Sequence, residues 1–298
     1  MIEYQYHHHY WVSPKGSGCK EGVRPMENLA QEVKAFARRE GANLVGIASA
    51  SVFENERIRP SELLPGARSV IVLAMKILDG ASRLGEDKEP AHPRMFPTSI
   101  QMQGPEINRV GHRVAVYLEE LGHEAVMVRA YYGAPLDRET KGMIGDLNTI
   151  RAAYEAGLGE IGDNNLILTP EYGPRVFLLP VVTTAELQPD GPYRGKLCDH
   201  CYECIDTCPV QALQGIGQVD KEACLRHNEP EALPGVIKFA LGKIVGKSPE
   251  QQTAAIRSPE FWNLWYFLLY GGLGYRCAKC MRVCHVGYPE ERRERLGR

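Results

Sequence analysis

Cys198-Asp199-His200-Cys201-Tyr202-Glu203-Cys204-Ile205-Asp206-Thr207-Cys208-Pro209 is the stretch on which the fold turns. Its cysteines are separated by two, two and three residues, and proline closes the run. Two-residue gaps let one loop wrap three thiolates around a single iron–sulfur cube. The three-residue step, with its exit fixed by proline, sends the fourth thiolate to a neighbouring cube. Four more cysteines, Cys224, Cys277, Cys280 and Cys284, complete a set of eight out of nine in the chain. Soft thiolate ligands favour iron–sulfur assembly, and eight of them suffice for two [4Fe–4S] clusters. Such a chain moves electrons one at a time at low potential.

Each run in a two-cluster module gives three ligands to one cube and its last to the other. Cluster one is therefore expected to take Cys198, Cys201, Cys204 and Cys284, and cluster two Cys208, Cys224, Cys277 and Cys280. The second run is split by an insertion between Cys224 and Cys277, and Cys284 precedes His285 where proline would stand. A pair of zinc sites accounts less well for three close cysteines followed by a fourth at three residues. His200 and His285, beside ligands, read as outer or surface groups.

Working outward, the 298 residues suit one large domain or two smaller ones, and 44% apolar residues are ample for a core. A formal charge of −2 argues against a general nucleic-acid binder. Cysteines clustered late in the chain point to metal, not to a disulfide scaffold. No apolar run reaches the ~20 residues that span a bilayer, and no charged-then-apolar leader opens the chain. Arg38-Arg39 sits within a helical pattern. A reducing cytoplasm is the expected location. Residues 1–25 read as a disordered or non-native extension, with Met26 as an alternative start.

Leu29, Val33, Phe36 and Ala37 share one helical face, so 28–40 is expected to be a helix ended by Gly41. Strands are expected at 43–48 and 69–75. A loop at 79–97 could act as a lid. An amphipathic helix is expected to start at Pro105 and run to 121, followed by a strand at 124–129 and a short helix at 147–156. Two further strands, 166–169 and 176–183, flank the turn Pro170-Glu171-Tyr172-Gly173-Pro174. Helix and strand alternate, which implies an α/β-layered half. Gln188-Pro189-Asp190-Gly191-Pro192 marks the domain boundary. In the later insertion, Phe261 to Tyr270 reads as an aromatic helix that covers the clusters, or as a docking surface for a redox partner or membrane subunit.

Ala156-Gly157-Leu158-Gly159-Glu160-Ile161-Gly162, with Leu166 to Val176 after it, resembles reductive dehalogenases and epoxyqueuosine reductases. The segment Gly41-Ala42-Asn43-Leu44-Val45-Gly46-Ile47-Ala48 resembles them too, as does the order of parts. The likeness spans roughly 28–298. It implies an α+β fold: a nitroreductase-like α/β-layered domain at 26–190, then a ferredoxin-like module with two [4Fe–4S] clusters at 191–298, carrying an aromatic helical insertion at 228–275. It also implies a corrinoid, cobalamin without its lower base ligand, which the clusters reduce and which then reduces a substrate. Gly157, Gly159, Gly162, Asn164, Tyr172, Gly173 and Arg175 are the implied ring or tail contacts, since glycines let backbone approach a flat ring.

The chain departs from the pattern in two places. Epoxyqueuosine reductases carry an acidic proton donor where this sequence has Met143, and the nearest acid is Asp146. Their Gly-Lys-Asn step reads Gly162-Asp163-Asn164 here. Dehalogenases use a tyrosine acid with a basic partner, a role open to Tyr131, Tyr132 or Tyr154 with Arg129 or Arg175. The expected function is a cytoplasmic iron–sulfur reductase, with Asp146, Tyr131 or Tyr132 as proton donor. Its electrons would come from a donor such as a ferredoxin or flavodoxin, and its substrate would be a small molecule. The rival readings are an electron carrier that reduces a corrinoid on a partner, a tRNA reductase, and a respiratory dehalogenase.

Overall fold

The computed structural model describes residues 26–83, 95–128, 136–137, 142–143, 145–228, 233–266 and 277–291. The first part runs α1 (Met26–Glu40), β1 (Leu44–Ser49), α2 (Pro60–Leu63), β2 (Ser69–Lys76), α3 (Asp79–Arg83) and α4 (Met95–Glu120). It continues through β3 (Ala125–Met127), β4 (Leu136–Asp137), β5 (Gly142–Met143), α5 (Thr149–Glu155), β6 (Glu160–Ile161), β7 (Ile167–Leu168) and β8 (Val176–Thr183). The main sheet has the order β1-β2-β8-β3, and every neighbour is antiparallel.

Helices cover both faces of that sheet, which is why β2 reads as an unbroken apolar run and not as an alternation. Ile71, Leu73 and Met75 point into a core shared with α1 and α4. Val70, Val72 and Ala74 point into a second core built on α5. Each fully buried valine, leucine or isoleucine here contributes about 1.5–3 kcal/mol. Pro180 sits in the inner strand β8, yet has no N–H to give to a ladder. The pairing with β3 stops beside it: Val181 faces Met127, and Val128 N donates to the Pro180 carbonyl at 2.8 Å.

Two expectations shift. The long helix does not start at Pro105. It begins at Met95, with Pro105 inside it. Packing overrides the proline: Ile100 is buried in the core, and the Gln103 side chain donates to the Lys76 carbonyl at 2.8 Å. The strands expected at 166–169 and 176–183 lie in different sheets. β7 pairs with β6, a strand too short to show a period in the sequence.

The second part carries α6 (Glu203–Asp206), α7 (Lys221–Asn228), α8 (Leu233–Lys243), α9 (Pro249–Ile256), α10 (Pro259–Tyr266) and α11 (Lys279–Val283). The aromatic helix is α10 as far as Tyr266; Phe267 to Tyr270 lie outside the described residues, as do 1–25. The predicted boundary is tied to β1. Asp190 accepts from Ile47 N at 2.8 Å and pairs with the buried Lys34 ammonium. Helix α11 seals against the first part, where Ala278 is buried in the α1–α4 core and Met281 packs on it. Arg282 Nε adds a bond to the Ser82 carbonyl at 2.7 Å.

Candidate metal centre

The eight cysteines come together from three places: the loop 198–208, α7, and the segment around α11. No disulfide joins any of them. Cys204 lies against Cys284, Cys201 and Cys198. Cys280 feels Cys277, Cys224, Cys204 and Cys208, in that order of strength. Cys284 thus sits with the three cysteines of the first loop, and Cys208 is among those around Cys280. Burial first, then the Asp163 carboxylate and the neighbouring thiols, push Cys204 up to about 12; burial and neighbouring thiols push Cys280 up to about 12 and Cys284 up to about 11. Four crowded thiols that hold their protons this firmly are poor company for one another and good ligands for a bound cation that displaces those protons. The donor set fits two four-thiolate clusters.

The loop bearing Cys198, Cys201 and Cys204 is strained. His200 and Tyr202 have φ of 58° and 60° on either side of Cys201, conformations costing about 1–3 kcal/mol each for residues other than glycine. The first part of the chain grips this loop. Glu160 Oε2 accepts from Leu197 N at 2.5 Å and from Cys198 N at 2.9 Å. Asp163 is buried, with its Oδ2 3.6 Å from Cys198 Sγ and 3.0 Å from His200 Nδ1. A second carboxylate–imidazole pair, Asp199 and His285, stands beside Cys201, with Oδ2 and Nε2 3.6 Å apart. Both histidines therefore stand next to ligands, paired with carboxylates. In the other group, Cys208 Sγ accepts from Ala212 N at 3.2 Å.

Arg175 is the largest fully buried side chain of the described residues, at 1% exposure. Its guanidinium donates to the carbonyls of Met281 at 3.3 Å, Cys284 at 3.1 Å and Val286 at 2.7 Å. It also lies 3.5 Å from the centre of the Tyr288 ring, and its Nε is 3.7 Å from Asp79 Oδ1. One arginine so fixes the whole segment that delivers Cys284. Backbone crosses backbone beside it: a Cβ on Gly173 would stand 2.0 Å from the Val286 carbonyl oxygen, and one on Gly287 2.1 Å from Gly173 N. Only glycines permit that crossing.

The other residues expected to touch a corrinoid are also engaged with protein. The space a Cβ would need is filled at Gly159 by the Leu168 carbonyl, at Gly162 by the Leu168 side chain, and at Gly157 by the Gly191 carbonyl. Asn164 accepts from Leu166 N at 3.1 Å, and Tyr172 lies under the Lys76 ammonium. Asp146 is exposed ahead of α5, and Tyr154 is half-buried. Tyr131, Tyr132 and Arg129 lie outside the described residues, as does the Met143 side chain. Sequence reasoning missed Glu160 and the clasp role of Arg175. The signal for the first was present, in the two acids of Gly159-Glu160-Ile161-Gly162-Asp163.

Two cavities adjoin the first cysteine group. One is lined by Cys198, Cys201, Cys204 and Cys284 together with Asp163 and Asn164. The other is an open groove of about 490 Å³ that includes Glu171, Lys196 and Tyr288, and shares His285 and Val286 with the first.

No protein-family model matches the chain. Among curated proteins, the epoxyqueuosine reductase of Bacillus cereus is 28% identical over 228 residues, covering 67% of this chain and 56% of that protein. The tetrachloroethene reductive dehalogenase of Dehalobacter restrictus is 30% identical over 178 residues, covering 59% of this chain and 26% of that protein. The chain thus spans little more than half of the first relative and about a quarter of the second. Among solved structures, an epoxyqueuosine reductase with a tRNA-Tyr stem loop superposes at a TM-score of 0.52 and 18% identity, over 88% of this chain and 81% of that one. A reductive dehalogenase whose structure suggests a mechanism for B12-dependent dehalogenation superposes at 0.51 and 18%, over 88% and 39%. At these identities the superpositions speak for the fold. The sequence relatives and the solved structures that share this fold alike include both reductive dehalogenases and epoxyqueuosine reductases.

Proposed function

We propose that the chain is an iron–sulfur reductase that reduces a small molecule bound in the groove beside the first cysteine group. The observation that carries this is the gathering of Cys284 with Cys198, Cys201 and Cys204 around one cavity. Cys208 is among the cysteines around Cys280, and is assigned here to the second group with Cys224 and Cys277. Bound there, [4Fe–4S] clusters would supply single electrons at low potential. The residues of this chain do the rest. Glu160 and Arg175 hold the two ligand segments in register. Asp163 and His200 shield the Cys198 side of the first group. Glu171, Lys196 and His285 line the groove and would orient a polar acceptor next to Cys284.

Cobalamin is the finer expectation from the superfamily. The residues named for it do not fit as its direct contacts: the glycines meet the protein's own backbone and side chains, and Arg175 is sealed in its clasp. We assign them to shaping the wall around the first cysteine group, and route no step through a corrinoid.

The epoxyqueuosine relatives favour a second reading, in which the acceptor is a modified base presented on a tRNA stem loop. That reading requires stem-loop binding that weakens steeply as salt rises; a chain that ignores the stem loop at low salt excludes it.

Cys284→Ser and Cys208→Ser test the main reading. Anaerobic wild-type protein should hold about eight iron and eight labile sulfide per chain. Each variant should lose a different cluster, with distinct paramagnetic resonance signals remaining. Zinc without sulfide, or loss of the same cluster in both variants, refutes it.

A further inference from the structure

The insertion between Cys224 and Cys277 carries a surface that the electron-transfer reading does not use. Ile237, Leu241, Val245, Ile256, Trp262 and Trp265 are exposed by 46–64%. Nearly half of the exposed large apolar side chains among the described residues fall in this one lobe of α8, α9 and α10. The lobe is not simply unpacked. Val236, Ala240 and Ile244 are half-buried, and Phe239 meets Phe261 of α10 at 5.9 Å between ring centres. Ile237 and Leu241, four residues apart on α8, turn outward, and Val245 just past its end is exposed as well.

The stripe itself carries lysines and no acid. From Leu233 to Lys247 there are three lysines, Lys238, Lys243 and Lys247, and no acid, in a chain whose net charge is −2. All three lysines are exposed. Glu260 on α10 reaches Lys243 at 3.8 Å; the other acids of the insertion are Glu229 and Glu231, just before α8 in the sequence, and Glu250 at the start of α9, while Arg257 adds another cation. An aliphatic stripe flanked by lysines, with tryptophans exposed on the same lobe, has the composition of a segment that lies in the headgroup layer of a membrane. Among the described residues no helix is long and apolar enough to cross a membrane, so the contact would be with its surface.

We infer that this lobe seats on an anionic lipid surface, with Leu241 and its neighbours in the headgroup layer and the lysines against lipid phosphates. The inference is independent of what the clusters reduce.

The test uses the full chain with vesicles of phosphatidylcholine alone, or with about a third phosphatidylglycerol. The chain should co-sediment with the anionic vesicles and be released by salt. Leu241→Asp should weaken binding roughly tenfold, the worth of one buried leucine. Leu78→Asp, at an exposed apolar site outside the lobe, should leave it unchanged, with circular dichroism confirming that both variants fold. In a Trp11→Phe background, the emission of Trp262 and Trp265 should shift to the blue on binding. Lys238→Glu with Lys247→Glu should abolish the preference for anionic lipid. Failure to sediment with any vesicle overturns the inference, as does wild-type sedimentation of Leu241→Asp. A dimer that Leu241→Asp dissolves, without vesicle binding, assigns the face to a second copy and overturns it equally.

Discussion

Replacing Arg175 by methionine keeps an unbranched side chain in the buried slot and removes the guanidinium. Three carbonyls, those of Met281, Cys284 and Val286, then lose their donor, and the Tyr288 ring loses the cation 3.5 Å from its centre. A hydrogen bond to a charged group is worth about 1.5–3 kcal/mol, but much of that offsets the cost of desolvating the arginine. The bond at 3.3 Å is weak, the one at 2.7 Å is strong, and the ring contact adds about 2 kcal/mol when dry. A net loss of ~4 kcal/mol is reasonable, within the range for breaking a buried charge network and a large share of a typical ~5–15 kcal/mol total. The loss falls on one segment, because all three carbonyls belong to the stretch that brings Cys284 to the first cysteine group. Arg175→Met should therefore fall from about eight to about four iron per chain, keeping the cluster that does not need Cys284. Arg175→Lys should lie between, since an ammonium has no planar fork to span three carbonyls. Iron and sulfide assays with paramagnetic resonance are the right measurement, because cofactor-dependent unfolding is not two-state. An Arg175→Met protein with full iron and an unchanged spectrum would show that the clasp does not hold the ligand segment.

Glu160→Ala should slow reconstitution of the first cluster and lower the stability of the metal-free chain by about 2 kcal/mol, since two backbone N–H groups lose a charged acceptor. Glu160→Gln, which keeps an oxygen, should recover more than half of that; equal behaviour of the two variants argues against the grip. Cluster assembly from the metal-free chain should also depend on pH. Burial, the Asp163 carboxylate and neighbouring thiols hold Cys204 up to about 12; burial and neighbouring thiols hold Cys280 up to about 12 and Cys284 up to about 11. Near neutrality these thiols are protonated, so assembly must release protons, and occupancy at limiting iron should rise from pH 6.5 towards 8.5 by roughly tenfold or more per unit. A flat profile would mean that the thiols are not the ligands.

The cysteine pattern was legible because ligand spacing is local: two-residue gaps constrain one loop, and the step to Cys208 specifies where the run ends. The strands β2 and β8 were legible for a related reason, being apolar on both faces over eight residues. The start of α4 was not, because Pro105 signals a beginning and only the packing of Ile100 and Gln103 carries the helix past it. Arg175 was visible as a charged residue in a glycine-rich turn, which suits a ligand contact as well as a clasp. Its partners lie 106 to 111 residues away in the chain, and no local signal names them. The glycines show the same limit. A glycine marks a close approach without saying whether protein or ligand does the approaching, and at Gly159 and Gly173 it is protein.

These contacts give the molecule a direction. Among the described residues, Glu160, Asp163, Asn164 and Arg175 of the first part all reach the group that includes Cys198 and Cys284, and the groove with His285 opens beside that same group. The second group instead holds Cys224 and Cys277, the two ends of the insertion whose outer face carries the apolar stripe. One four-thiol site is thus embedded where an acceptor could be enclosed, and the other is joined by covalent chain to the lobe best suited to meet a surface. Two clusters in one small module are useful when entry and exit must be kept apart, and here the groove adjoins one cysteine group while the apolar lobe is linked by chain to the other.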